Sequence, residues 1–153
     1  GEVAKRIDVA AQLVLRGAVT DDFAAIEHAY APPYAPALDP LAVLAMAAAN
    51  QMDGIESVAP LTDLSREKVL DVRVEAEREE RPLTAGALHE IEASELHGRA
   101  DEIPDGPLLV ACAHGTRSAE VVRWLAHRGV RARYLGGGVS WRVRALRVGE
   151  RQT

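Results

Sequence analysis

The sequence predicts an α/β fold: a central parallel sheet with helices on both faces, preceded by a helical segment. Three observations predict it. Val69–Val72, Leu108–Ala111 and Ala132–Leu135 read as strands, the second of them wholly apolar, and the stretches between them have room for helices, the alternation that yields a parallel sheet covered on both faces. The first third carries apolar residues at helical spacing instead. The run Leu108–Ala111 ends at Cys112, the single cysteine, and passes through a glycine-bearing loop into a helical pattern. With 153 residues, 48% of them hydrophobic, the chain can build one ordinary domain with an attachment.

The elements follow in order. Val3, Ile7, Ala10 and Val14 share one helical face, Leu13 widens the stripe and Gly17 stops it. A second, short helix is expected from Asp21 to His28 with Thr20 as its cap. The loop Ala31-Pro-Pro-Tyr-Ala-Pro36 cannot be helix interior, because its prolines lack donors and fix φ. Asp39 caps a third helix with Pro40 in its first turn, running to about Met52 before Gly54. Its stripe of Leu41, Leu44, Ala45, Ala48 and Ala49 reads as core or as a dimer face. Residues 1–54 therefore form a helical segment, 55–61 a linker and 62–153 the α/β domain.

Within that domain Val69–Val72 is expected as a central strand, and the polar run Glu75–Arg81 as a solvated surface segment. After Leu108–Ala111 come Cys112, Ala113, His114, Gly115, Thr116 and Arg117, then Ser118, a residue type that suits a helix N-cap. Ala119, Val122, Leu125 and Ala126 continue the helix to its stop at Gly129. Ala132–Leu135 is another strand, and Gly136, Gly137 and Gly138 permit a close backbone approach before a last helix in which Trp141 closes the core.

Cys112 thus stands where a strand ends and faces a helix N-terminus, the place where open α/β folds put ligands and reactive groups. Backbone N–H groups and partial positive charge there favour an anion, and an anion-favouring setting turns an inert thiol into a nucleophile. The competing reading is a small buried apolar residue, the common fate of a free cysteine. A formal net charge of −5 gives no nucleic-acid footprint. One cysteine allows no internal disulfide, in keeping with a reducing, cytoplasmic setting. No apolar run reaches membrane-spanning length, and the start GEVAKRID lacks the apolar core of a signal peptide. The absence of an initiator methionine fits an excised fragment. No motif calls for a metal.

Cys112-Ala-His-Gly-Thr-Arg117-Ser118 resembles the active-site loop of the rhodanese sulfurtransferases in their single-domain form. Val69-Leu-Asp71-Val-Arg73 with Glu77 resembles that family's opening LLDVR-x-x-x-E, and Tyr134-Leu-Gly-Gly-Gly-Val-Ser-Trp141 its closing L-x-G-G-x-x-x-W. These motifs cover about half the chain in the family's order. The resemblance implies a rhodanese-like sandwich and a persulfide carried on Cys112, with loop amides from Ala113 to Ser118 holding the anionic sulfur. It implies that Asp71 and Arg73 brace the active-site side of the sheet. Arg117 either adds charge toward the donor or forms an ion pair on its helix, and His114 shapes the loop or touches substrate. Four residues separate Cys112 from Arg117, against five in the C-x5-R loop of cysteine phosphatases, which ranks phosphate ester hydrolysis below sulfur transfer. Gly86-Ala-Leu-His89 departs from the family's G-H-I-P-G-A. Ala113, where good thiosulfate users often carry a positive residue, favours persulfide donors.

Residues 1–54, above all Ile26-Glu-His-Ala-Tyr30-Ala-Pro-Pro-Tyr34 with Asp39-Pro40, resemble the end of the dimerisation domain of pyridine nucleotide–disulfide oxidoreductases, coenzyme A-disulfide reductases in particular. That resemblance implies a parent enzyme using FAD, NAD(P)H and coenzyme A, a reductase domain as partner, and a homodimer. It also implies that Tyr30 and Tyr34 stand at a subunit interface, where the alternative is plain packing of the proline loop. The chain itself has no G-x-G-x-x-G after a strand and no C-x-x-C pair, so no cofactor is assigned to it. Small sulfur donors and thiol acceptors are its expected partners. A non-catalytic dimerisation or docking module is the alternative from a different class.

Overall fold

The computed structural model describes residues 3–27 and 39–150. The chain forms two compact units, Gly1–Gly54 and Ile55–Thr153.

The first unit is helical. Helix α1 spans Val3–Leu15 and ends as its glycine foretells: Gly17 has φ +74°, its N–H donates to Val14 O, and the Ala18 N–H donates to Leu13 O. The stripe expected to be buried is not covered by the described residues, since Val3, Ile7 and Val14 are all at least 60% exposed. Helix α2 covers only Thr20–Ala24, shorter than expected, and its N-cap is Val19 rather than Thr20. The side chain of Asp22 accepts the Val19 N–H at 2.8 Å, so this end is satisfied without a capping hydroxyl, and Thr20 Oγ1 turns to Met52 Sδ. Helix α3, Pro40–Met52, is capped by Asp39, whose carboxylate accepts the Leu41 N–H at 2.9 Å and the Arg6 Nε–H at 2.8 Å. The small-residue stripe of α3 divides: Leu41 and Ala45 are buried, while Leu44 is 65% exposed. Tyr30 and Tyr34 lie outside the described residues.

The second unit is a five-stranded, wholly parallel sheet in the order β1-β5-β4-β2-β3, with strands β1 (Ser57–Val58), β2 (Lys68–Asp71), β3 (Ala87–Glu90), β4 (Leu108–Ala111) and β5 (Ala132–Leu135). Helices α4 (Glu75–Glu80), α5 (Thr116–His127) and α6 (Gly138–Glu150) complete it. Alternation along β4 explains the two layers: Leu108, Val110 and Cys112 join a core with α5 residues Val121, Val122 and Leu125, whereas Leu109 and Ala111 pack against Val139 of α6. Both faces are thereby covered, as a parallel sheet requires. The expected α/β architecture is the one found.

Several expectations change. Part of the segment read as linker is strand β1, hydrogen-bonded to β5, and Ile55 beside it is buried; a two-residue strand leaves no periodic trace in sequence. Strand β2 is interior but off-centre, and β4 is the middle strand. The polar run after β2 is helix α4, not merely solvated surface. Trp141 does not close the core: it is 54% exposed. Val139 faces the sheet, and two residues along a helix rotate a side chain by about 200°, which turns Trp141 outward.

Candidate active site

Cys112 sits one residue beyond β4 and is completely buried. The chain turns at Gly115, with φ +96°, and enters α5 at Thr116, so Gly115 is the N-cap. Ser118, expected as cap, lies inside the first turn. Its hydroxyl is needed elsewhere: it donates to Gly115 O at 2.9 Å and stands 3.3 Å from Cys112 Sγ. The Gly115 N–H donates to Sγ at 3.1 Å and the Ser118 N–H at 3.4 Å. Three donors or potential donors therefore converge on one sulfur in a site without water-exposed surface, where such contacts are strongest.

The loop is held from outside by α6. Val139 N–H donates to Cys112 O at 2.9 Å and Ser140 N–H to Ala113 O at 3.0 Å, which turns those carbonyls away from the sulfur. This approach depends on Gly138, where a Cβ would lie 2.5 Å from both the Cys112 and Ala113 carbonyl oxygens and φ is +65°. Gly138→Ala combines a backbone overlap with a strained φ, and is expected to cost at least about 2 kcal/mol, seen as a fall of several degrees in the thermal midpoint. An unchanged midpoint would mean that α6 need not lie so close.

Asp71 ends β2 and pairs with Arg73, both buried. Arg73 Nε donates to Asp71 Oδ1 at 2.9 Å and Nη2 to Oδ2 at 2.6 Å, a two-pronged contact. The remaining nitrogen, Nη1, donates to Glu77 O at 3.0 Å and Arg81 O at 2.7 Å, satisfying carbonyls at the end of α4. Arg73 thus fixes α4 to the sheet, and α4 presents Glu77. The Glu77 carboxylate accepts from Arg117 Nη2 at 2.6 and 2.7 Å, so in this structure the Arg117 guanidinium makes the ion pair and joins α5 to α4. Arg117 holds the Glu77 carboxyl below its ordinary value of 4.5, against a smaller opposing effect of burial. Glu77 in turn raises the Arg117 guanidinium.

A carboxyl lowered in the folded state contributes stability that is complete above its unfolded value and vanishes as pH falls through the folded one. The penalty of Glu77→Gln, about 0.5–1 kcal/mol at neutral pH for a part-exposed pair, should therefore shrink toward zero between neutral pH and a pH well below the ordinary 4.5. Urea titrations of both proteins at the two pH values check this, and an equal gap at both would refute it.

Among the sequence-derived residues, Cys112, Gly115 and Ser118 come together around the sulfur. Ala113 is buried behind them, and His114 and Thr116 are exposed. Arg81 and Ser140, which sequence reasoning did not single out, meet at 2.6 Å across the outer side of the loop. Their separation of 59 residues leaves no local signal. Among the described residues no group of three or more His, Cys, Asp or Glu could hold a metal, and no helix is long and apolar enough to cross a membrane.

The implied flavin and nicotinamide cofactors do not fit the described turns. The turn after β2 has no glycine, the one after β4 closes on Cys112, and Gly137 and Gly138 after β5 are packed against Trp141 and that loop.

A parallel sheet whose middle strand delivers a cysteine into a loop at a helix N-terminus defines a rhodanese-like domain. Comparison with solved structures agrees. The chain is similar to an NAD-dependent persulfide reductase from A. fulgidus, with 42% identity and a TM-score of 0.74, over 92% of this chain and 26% of that one. It is similar to CoADR-RHD of Bacillus anthracis, with 27% identity and a TM-score of 0.74, over 91% of this chain and 26% of that one. A rhodanese-related protein from Thermoplasma volcanium matches at 28% identity and a TM-score of 0.53, over 59% of this chain and 92% of its own. No family model matches the chain, and no curated protein does. The chain has a rhodanese-like fold, and the proteins it resembles include both rhodanese-related proteins and reductases. It spans about a quarter of the length of the two reductases it matches.

Proposed function

We propose that the chain is a sulfurtransferase that carries sulfane sulfur on Cys112 and works beside a flavin-dependent coenzyme A-disulfide or persulfide reductase in a cytoplasmic homodimer. The observation that carries the reading is the set of donors from Gly115 and Ser118 on Cys112 Sγ.

The Cys112 thiolate attacks the outer sulfur of a donor persulfide R–S–SH. The Cys112 S–S bond forms, the donor S–S bond breaks, R–S⁻ leaves, and Cys112–S–SH remains. No net oxidation occurs. An acceptor thiolate then attacks the outer sulfur of Cys112–S–SH and releases the Cys112 thiolate. Ser118 has one hydroxyl proton, which serves Gly115 O beside a neutral thiol and can turn to Sγ when the sulfur is anionic. Arg117 acts through Glu77 as a brace for the first turn of α5 rather than as a contact to the donor, and Asp71 and Arg73 support α4 from beneath.

Intact mass spectrometry after exposure to thiosulfate, and separately to a small-thiol persulfide, tests the relay. One sulfur gained, then removed by a thiol, is the expected result. A chain that gains none from either donor overturns the reading.

A further inference from the structure

Helix α6 begins with donors that its own backbone cannot use. The first N–H groups of a helix have no partner within it, and two of those in α6 go to the reactive loop: Val139 N–H to Cys112 O at 2.9 Å and Ser140 N–H to Ala113 O at 3.0 Å. While these bonds hold, both carbonyls stay turned from Sγ, which meets the Gly115 and Ser118 N–H groups instead. A peptide unit that swung either carbonyl inward would set partial negative charge beside a sulfur that carries negative charge during transfer. Whatever fixes the first turn of α6 therefore fixes the anion setting of Cys112.

A side chain from another element reaches that turn. Arg81, the C-cap of α4, donates through Nη1 to Ser140 Oγ at 2.6 Å. Its backbone is held from beneath: Arg81 O accepts from Nη1 of the buried Arg73 at 2.7 Å, and Arg81 N–H donates to Glu77 O at 3.2 Å. A series of bonds thus runs from Asp71 through Arg73, Arg81 and Ser140 to Ala113 O. Packing does not hold the Arg81–Ser140 contact in place, since both residues line a cavity of about 580 Å³ with Trp141 and Arg144. The stability of α6 does not account for it either, because a cation beside a helix N-terminus opposes the helix dipole. Glu80 pairs with Arg81 at 3.0 Å, but both side chains are exposed and such a pair contributes little.

We propose that Arg81 is a positioning residue for the sulfur relay: its hydrogen bond to Ser140 Oγ holds the first turn of α6, so that the Cys112 and Ala113 carbonyls stay turned from Sγ. The proposal rests on the sulfur-relay reading and adds to it a residue pair that does not touch the sulfur. The bonds formed and broken in transfer are unchanged.

Two readouts test it, one of which does not need the relay. Sulfur loading from glutathione persulfide is followed by intact mass over a range of donor concentrations. Arg81→Ala and Ser140→Ala are each expected to lower the saturated rate about tenfold while the half-saturating concentration stays within about twofold of the parent value. The double variant should be no slower than the slower single one, since each substitution removes the same bond. Arg81→Lys, whose ammonium can still donate to Ser140 Oγ, should recover most of the rate, and Glu80→Gln should stay within about twofold of the parent. Independently of transfer, the amides of Gly115 and Ser118 should exchange hydrogen about tenfold faster in both alanine variants, with Leu109 and Val110 of β4 unchanged as the fold reference. Unchanged exchange at both loop amides overturns the proposal even if the relay proceeds, and so do an unchanged saturated rate in a chain that loads sulfur, losses that multiply in the double variant, or an equal loss with Glu80→Gln. Faster loop exchange in a chain that takes up no sulfur supports the positioning role and sinks the relay alone.

Discussion

Serine in place of Cys112 is expected to abolish sulfur uptake, by roughly a thousandfold or more, while leaving the fold intact. The site explains both halves. Serine Oγ can still accept from the Gly115 and Ser118 N–H groups that now meet Sγ at 3.1 and 3.4 Å, so the loop keeps its partners and stability should change by no more than about 1 kcal/mol. A hydroxyl is neither ionised near neutral pH nor able to hold sulfane sulfur, so no persulfide can form. Intact mass after donor treatment, with circular dichroism as the fold check, measures the two effects. The same variant weighs the relay against a non-catalytic docking module. A parent chain that loads sulfur against a serine variant that does not supports the enzyme, and a parent that never loads supports the module.

Asp71→Ala should produce the largest loss of stability in the second unit, about 3–5 kcal/mol, because it strands the Arg73 guanidinium in a fully buried position. Total stability of a domain is only about 5–15 kcal/mol, so the thermal midpoint should fall by roughly 12 °C or more. Adding Arg73→Met removes the stranded charge and should recover part of the loss. Recovery should stay incomplete, since Glu77 O and Arg81 O then lose the donor that ends α4. A fall of less than about 1 kcal/mol for Asp71→Ala would show that water reaches Arg73 and that the pair does not brace α4.

Much of the second unit was legible because its signals are local. The bounds of β4 follow from an apolar run between Pro107 and Cys112, and Gly129 stops α5 because a positive φ of 74° is open to glycine. The reactive cysteine was legible from its position after a buried strand. The reading failed where a residue has two possible partners and only distance chooses. Ser118 has the chemistry of an N-cap, yet Gly115 takes that place, because the Ser118 hydroxyl is drawn to Gly115 O and the sulfur. Thr20 likewise gives up the cap when Asp22 satisfies Val19. Trp141 was read as core from its bulk, but rotation along α6 places Val139 against the sheet instead.

The sequence by itself determined β2, β4, α5, β5 and α6 of the second unit in their order, the parallel α/β class, and the cysteine on which the chemistry turns, since periodicity, glycine punctuation and a strand-to-helix transition are written within a dozen residues. Only the tertiary structure decided that Arg117 answers Glu77, 40 residues away, that α6 clamps the carbonyls of Cys112 and Ala113, and that Arg81, Trp141 and Arg144 meet around one cavity. Those pairings arise when separate elements pack on a common sheet, and hydrogen bonds and ion pairs between them are fixed by distances in space that no local pattern encodes.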